Sequence, residues 1–152
     1  MAFGVEMYKA DPASLLQHIS YFILVLIALL FAFSIFTCYV YSSHDNRSNE
    51  GMGFAAIWST IMAISLAIFT QLAFNNYKTH FSVGLAIGAT FMMSEFFFMI
   101  GILFADYAAD FDKRRLEAAT DEQLDTANEM MAVISFFLFF AYGGFFVAQV
   151  RN

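Results

Sequence analysis

Four long apolar runs, separated by polar segments, organise this chain of 152 residues. Each run is about 20 residues or longer, the length that a helix needs to cross a hydrocarbon layer of roughly 30 Å. The pattern therefore predicts an all-α fold, an integral membrane four-helix transmembrane bundle that forms a single domain over residues 1–152. The predicted spans are Ser20–Tyr41, Gly53–Asn75, Ser82–Ala105 and Glu129–Val150.

The composition supports a membrane class and argues against several functions. Hydrophobic residues make up 61% of the chain and charged residues 13%, more apolar surface than a soluble domain of this size can bury. Because the spans use most of the length, there is no room for a soluble catalytic module. We expect no enzymatic activity and no small-molecule substrate. The single cysteine, Cys38, excludes an intramolecular disulfide, and the net charge of −6 argues against binding to nucleic acid.

Polar residues mark two helix starts. Asp11 as N-cap, followed by Pro12 at the first helical position, predicts the start of the first helix. The capping box Thr120–Gln123 predicts that a helix begins near Asp121 and continues into the fourth span. The segment 106–128 between the third and fourth spans is an acidic connection, either a solvated, partly helical connector or an ion- or partner-binding loop. Its acids lack the pattern of a calcium loop, so no metal site is predicted.

Glu95 is a carboxylic acid near the middle of the third span. Ionisable residues at this depth usually face the interior of a bundle, where a protonated carboxyl can donate a hydrogen bond to a neighbouring helix. Contact with another subunit or a lipid-headgroup defect is an alternative, and so is a proton relay or ion site. The relay is disfavoured because it needs further titratable groups within the membrane. The candidate partners at similar depth are Ser34, Thr60, Ser65 and Ser135.

Small residues predict where helices approach closely. Gly84 and Gly88 form a GxxxG motif in the third span, and Gly101 is expected to extend the same face. Gly143 and Gly144 thin the fourth span. Such positions let helix backbones pack by dispersion where lipid provides no hydrophobic drive. Packing within the bundle is the favoured use, and dimerisation is the alternative.

No cofactor is predicted. A bis-histidine haem usually needs paired histidines inside facing helices, whereas His18 and His80 lie near the entrances of spans and His44 lies on the opposite side. The many phenylalanines are typical of lipid-facing surface and of knobs between helices. A groove for a pigment or sterol is the alternative.

The count of basic residues slightly favours termini on the outside but does not by itself settle the orientation in the membrane. With four spans, both termini and the second loop lie on one side of the membrane, which carries three basic residues: Lys9, Lys78 and Arg151. The other side carries four: Arg47, Lys113, Arg114 and Arg115. Asn46 begins a glycosylation sequon, Asn46-Arg47-Ser48, that would be used only if the first loop faced a lumen. The sequon and the short second loop favour cytosolic termini.

Four segments carry a resemblance to a known family: Asp11–His18, Phe31–Cys38, Phe98–Gly101 and Ser135–Phe137. Together with the four-span layout, they resemble the MARVEL-domain tetraspan proteins, especially the synaptogyrin/synaptophysin branch. The resemblance implies cytosolic termini, a vesicle or other endomembrane location, and a non-catalytic role in organising that membrane through protein and lipid contacts.

Two functions therefore compete. The first is a MARVEL-like organiser of a vesicle or trafficking membrane. The second is a small accessory subunit of a large membrane complex, such as a proton-pumping ATPase or a respiratory complex. Both require membrane lipids and other membrane-protein subunits as partners. They differ in whether the chain stays bound to one large assembly.

Overall fold

The computed structural model describes residues 12–43, 50–75, 79–115 and 122–151. Over these residues the chain forms four α-helices: α1 (Pro12–Ser43), α2 (Glu50–Asn75), α3 (His80–Arg115) and α4 (Glu122–Arg151). Each contains a stretch that is long and apolar enough to cross a membrane: Leu16–Ser42, Gly51–Ala73, His80–Ala109 and Gln123–Arg151. The predicted all-α class with four such helices is confirmed.

Two helices begin where the sequence predicted. α1 begins at Pro12, whose fixed φ suits the first helical position, and α4 begins at Glu122 within the predicted capping box. The proposed capping residues themselves, Asp11, Thr120 and Asp121, lie outside the described residues.

The start of α3 is capped by Thr79, within a segment predicted only as a tight turn over residues 76–81. The backbone N–H of Ser82 donates to Thr79 Oγ1 at 3.2 Å, and the backbone N–H of Val83 donates to the Thr79 carbonyl at 3.0 Å. The hydroxyl groups of Thr79 and Ser82 also lie 2.8 Å apart. The Thr79 hydroxyl satisfies the Ser82 amide, which a helix start otherwise leaves without a partner, and the Thr79 carbonyl accepts the first backbone bond of the helix. The helix therefore already includes His80.

α3 is longer than the predicted span. It continues through residues 106–115, ten residues past the predicted end at Ala105. The added residues include no glycine or proline, so nothing in them stops a helix. The segment 106–128, predicted as a partly helical connection, is therefore helical from its first residue, because apolarity ends before the helix does, and the helix predicted near Asp121 occupies its last residues. Residues 116–121 lie outside the described part of the chain.

The four helices form an antiparallel ring in chain order, in which α1 packs on α2 and α4 and α3 packs on both α2 and α4. On α1 and α2, Ser34 pairs with Thr60, and nearer the start of α1 Ser20 pairs with Gln71. The pairing of α3 with α4 is the most extensive and that of α2 with α3 the least. The ring is therefore loosest between α2 and α3.

Aromatic rings fill the interface between α3 and α4. Phe97 and Tyr142 are stacked with their ring centroids 5.8 Å apart and their planes 5° apart. Phe98 lies 5.1 Å from Phe139 and 6.3 Å from Phe136, measured between ring centroids. Such contacts add to the dispersion energy of the interface. They make α3 and α4 the best-packed pair of the bundle.

The bundle buries apolar residues together with small uncharged polar ones, and its outer surface is also largely apolar, unlike the surface of a soluble protein. Its described outer surface carries many large apolar side chains, including Met92 at 68% exposure and Phe140 at 70%. The described buried polar residues are all uncharged: Ser34, Thr37, Ser59, Thr60, Thr70, Thr90, Ser94, Asn128, Ser135 and Gln149. An apolar solvent around the helices accounts for this distribution.

Candidate interaction face on the third helix

Glu95 lies on the outside of the bundle, at the middle of α3. It follows His80 by 15 residues and precedes Ala109 by 14, so it stands at the centre of the apolar stretch. Its side chain is exposed, whereas the inner face of the same helix is buried. The neighbouring Ser94 donates to the carbonyl of Phe139, near the middle of α4, which places Glu95 at mid-depth on both helices.

The prediction that Glu95 faces the interior is wrong. The hydroxyls proposed as its partners are bonded elsewhere: Ser34 to the Ala56 carbonyl and to Thr60, Ser65 to the Ile61 carbonyl, and Ser135 to the Met131 carbonyl. Serine and threonine can bond to a carbonyl one turn back in their own helix, so they need no outside donor. Within the described chain, no hydrogen bond or ion pair to the Glu95 carboxylate is found.

The GxxxG motif also faces outward. A Cβ atom built at Gly84 or at Gly88 would meet no other atom within 4 Å. A Cβ at Gly101, by contrast, would lie 3.2 Å from ring atoms of Phe136 on α4. Gly101 follows Gly88 by 13 residues, which turns it about 140° around an axis with 3.6 residues per turn. The predicted common face is therefore wrong: Gly101 packs inside the bundle, and the two other glycines do not.

The other glycines that the sequence selected divide in the same way. A Cβ at Gly143 would lie 3.4 Å from Ser94 Oγ, so this position belongs to the contact between α4 and α3. A Cβ at Gly144 would meet nothing within 4 Å. Only the first of the pair brings two described helices close together.

Six exposed residues of α3 form one continuous face, which we name the outer stripe: Gly84, Gly88, Phe91, Glu95, Phe98 and Ile102. Their spacing alternates between four and three residues, which is the spacing that keeps one face of a helix against a partner helix. The inner face of α3 carries the buried Met93, Phe97, Ile100 and Phe104 instead. The outer stripe thus has the spacing of a packed seam. Phe91 and Phe98 lie at its edge toward α4, where their rings contact Phe146 and Phe139, whereas Gly84 and Gly88 have open space above them.

Two shallow apolar grooves flank the helices. One, of about 550 Å³, lies between α2 and α3, and Ser65, Met92 and Phe96 are among its lining residues. The other, of about 490 Å³, lies between α1 and α4, with Glu129 among otherwise apolar residues such as Phe22 and Phe137. Both are wide open on the outside, as surfaces that take up lipid chains are.

Some buried polar atoms lack hydrogen-bond partners. Tyr142 OH, Thr37 Oγ1 and both amide atoms of Gln149 have none within the described structure. Beside Tyr142 is a void of about 20 Å³ whose lining includes Ser20, Thr70 and Gln71. A void of this size with several polar groups can hold one water molecule. We assign this void a structural role, since none of its lining residues is charged.

One interhelical hydrogen bond had no sequence signal. Tyr41 OH at the end of α1 donates to Asn128 Oδ1 near the start of α4 at 2.8 Å, and both residues are buried. The two positions are 87 residues apart, and neither lies in a recognisable motif. The spacing of the outer stripe, in contrast, can be read directly from the sequence.

The remaining predicted positions do not converge on a site. His18 and His80 are exposed near the starts of α1 and α3, and His44 and Asn46 lie outside the described residues. Among the described residues, no three His, Cys, Asp or Glu side chains lie together as a metal site requires. The outer stripe around Glu95 is therefore the candidate functional site. Comparison with protein-family models, with curated proteins and with solved structures finds no match to this chain.

Proposed function

We propose that the chain is a multi-pass membrane protein that works as a non-catalytic subunit, bound sideways to other membrane-protein subunits. The observation that carries this proposal is the exposure of Glu95 at the middle of α3. In a bilayer, this side of the helix meets either lipid or another protein. A partner subunit is the surrounding that suits a carboxylic acid.

The depth of Glu95 supports this choice. At a rise of 1.5 Å per residue, the carboxyl stands about 22 Å along the helix from His80, whereas half of a hydrocarbon core is about 15 Å thick. A glutamate side chain is too short to reach a headgroup over that distance. An acidic side chain at the helix centre opposes insertion by about 2.5–3.5 kcal/mol. Contact with a hydrogen-bonding or charged protein group would remove much of this penalty.

Of the two functions that the sequence left open, this geometry favours the accessory subunit. A subunit held in a larger complex keeps Glu95 covered at all times, which a freely diffusing organiser does not. Contacts with lipid chains are supported by the two open grooves and suit either function. The MARVEL resemblance, the vesicle membrane and the cytosolic termini remain predictions.

Co-purification tests the proposal. The full chain, tagged and expressed in its own cells, is extracted in a mild detergent and separated by size in native form. We expect it to migrate in a large assembly with a reproducible set of other membrane proteins, identified by mass spectrometry. Migration as a single chain or as a small homo-oligomer would contradict the accessory-subunit function.

A variant links the result to the site. Glu95→Ala is expected to reduce the fraction of the chain in the large assembly while leaving the bundle folded, because the side chain contacts no described residue inside it. Glu129→Ala serves as the matched control. It removes an exposed acid near the start of α4, away from mid-depth.

A further inference from the structure

We infer that the outer stripe of α3 docks against one transmembrane helix of a different protein, and that this helix carries a lysine or arginine at mid-bilayer as the counter-charge of Glu95. This inference rests on the proposed function and names the chemistry of the partner. It is carried by charge complementarity at Glu95 and by the exposed seam around it.

A lipid cannot supply the cation that Glu95 requires at mid-bilayer. The cationic part of a lipid is its headgroup, which lies at the membrane surface and far from the centre of α3. Acyl chains provide neither charge nor a hydrogen-bond donor. The groove between α2 and α3, lined by Met92 and Phe96, suits such chains, but the outer stripe lies on the other side of Met92 around the helix.

A second copy of this chain cannot supply this cation either. Its candidate spans contain no lysine or arginine apart from Arg151, which stands at the very end of α4. Two copies joined by their outer stripes would place one Glu95 near the other and would offer neither carboxyl a cation. A different protein has to supply the cation.

The outer stripe has the shape that such a helix needs. Gly84 and Gly88 have open space above them, so a second backbone can approach α3 closely on that side. Phe91 and Phe98 flank Glu95 at the edge of the stripe toward α4. Their rings contact Phe146 and Phe139 there, and 45% and 37% of their surfaces remain exposed. A helix lying along this seam would cover the carboxyl and exclude lipid from the ion pair.

Photocrosslinking in native membranes identifies the occupant. Phe91 and Phe98 are replaced, one at a time, by photoreactive benzoylphenylalanine in the full chain, and crosslinked peptides are sequenced by mass spectrometry. Phe31 on α1 and Phe140 on α4 are the controls, since both are exposed outside the outer stripe. We expect the two stripe positions to capture the same transmembrane segment of another protein, with a lysine or arginine near its middle, and the controls not to capture it.

Charge variants test the ion pair. Glu95→Gln keeps the size of the side chain and its hydrogen bonding but removes the charge, and we expect it to lower recovery of the captured protein at least about tenfold. Glu95→Asp keeps the charge and is expected to retain most of the recovery. Glu129→Gln is the matched control and should leave recovery unchanged. Glu95→Lys combined with lysine or arginine→Glu in the partner should restore it.

Glycine variants test the seam independently of charge. Gly88→Leu is expected to release the partner because the new side chain fills the approach to α3. Gly144→Leu adds the same side chain at an equally open position on α4 and should have no such effect. Both variants should retain the thermal unfolding midpoint of the isolated chain, which separates loss of docking from loss of folding.

The outcomes distinguish this inference from the proposed function. Capture of a foreign helix without a basic residue, or full recovery with Glu95→Gln, would overturn the ion pair and leave lateral assembly standing. Capture of a second copy would overturn the inference in favour of a homo-oligomer. A chain that runs alone and is captured by nothing from the stripe would overturn both.

Discussion

A buried hydrogen bond joins α1 and α4 near one end of the bundle. Tyr41 OH donates across from α1 to Asn128 Oδ1 on α4, and Asn128 Nδ2 has no hydrogen-bond partner in the described structure. In a membrane, hydrogen bonds between helices are worth about 0.6 kcal/mol on average and up to about 1.7 kcal/mol. We expect this one to lie in the upper part of that range because both side chains are buried.

Tyr41→Phe should therefore lower the free energy of unfolding by about 1 kcal/mol. The substitution removes the hydrogen bond and leaves the side-chain oxygen Oδ1 of Asn128 buried without a donor. Reversible unfolding in mixed detergent micelles measures the change. Tyr39→Phe removes a hydroxyl from a side chain on the same helix that is 68% exposed, and it should change stability far less. Equal losses for the two variants would show that the hydrogen bond contributes nothing measurable.

At the scale of the element, α3 differs from the other helices in serving two surfaces. Its inner face packs Phe97 against Tyr142 on α4, and its outer stripe is exposed, although Phe91 and Phe98 at the edge of the stripe also contact α4. Each face has its own glycines: Gly101 lies on the inner face, and Gly84 and Gly88 lie on the outer stripe. The helix is therefore held mainly by one neighbour, and its start depends on the local cap at Thr79.

Removal of that cap should loosen the first turn of α3. Thr79→Ala is expected to reduce stability by about 1 kcal/mol, because the backbone N–H of Ser82 loses the side-chain oxygen that it bonds. Hydrogen exchange in micelles should show faster exchange in this turn and unchanged rates near Phe97. Thr79→Ser keeps the oxygen and should restore protection; an unprotected turn in that variant would mean that the hydroxyl is not the cap.

At the scale of the whole molecule, the four described helices are antiparallel, so their insertion into a membrane would place the two ends of the bundle on opposite sides. Ser42, one residue before the end of α1, and Gln123, one residue after the start of α4, share one side. Thr79 before α3 and Arg151 at the end of α4 share the other. All four side chains are exposed, so each position is accessible to a reagent.

Cysteine labelling of sealed vesicles checks this topology. In a background with Cys38→Ala, a cysteine at Ser42 or Gln123 should react with an impermeant maleimide from one side, and a cysteine at Thr79 or Arg151 from the other. Labelling of Ser42 and Thr79 from the same side would contradict four complete crossings. Recovery of the folded chain from the aqueous fraction without detergent would contradict membrane insertion altogether.

The sequence alone determined the number of helices and their apolar character. Runs of about 20 apolar residues are a local property, and the start at Pro12 depends on residues next to each other in the chain. The length of α3 could not be predicted by the same rule, since residues 106–115 are helical but not apolar. Hydropathy predicts the part of a helix that lies in the membrane, whereas the helix itself continues until a residue that terminates helices.

Only the tertiary structure decided which way each functional residue points. From the sequence, Glu95 and the pair Gly84 and Gly88 were assigned to the interior, because polar and small residues usually lie between membrane helices. In the folded ring, α3 turns Phe97 and Gly101 toward the bundle instead, and aromatic packing against α4 fixes that rotation. A helix that is apolar all round does not encode its own rotation, so the neighbours that pack against it determine which face remains for a partner.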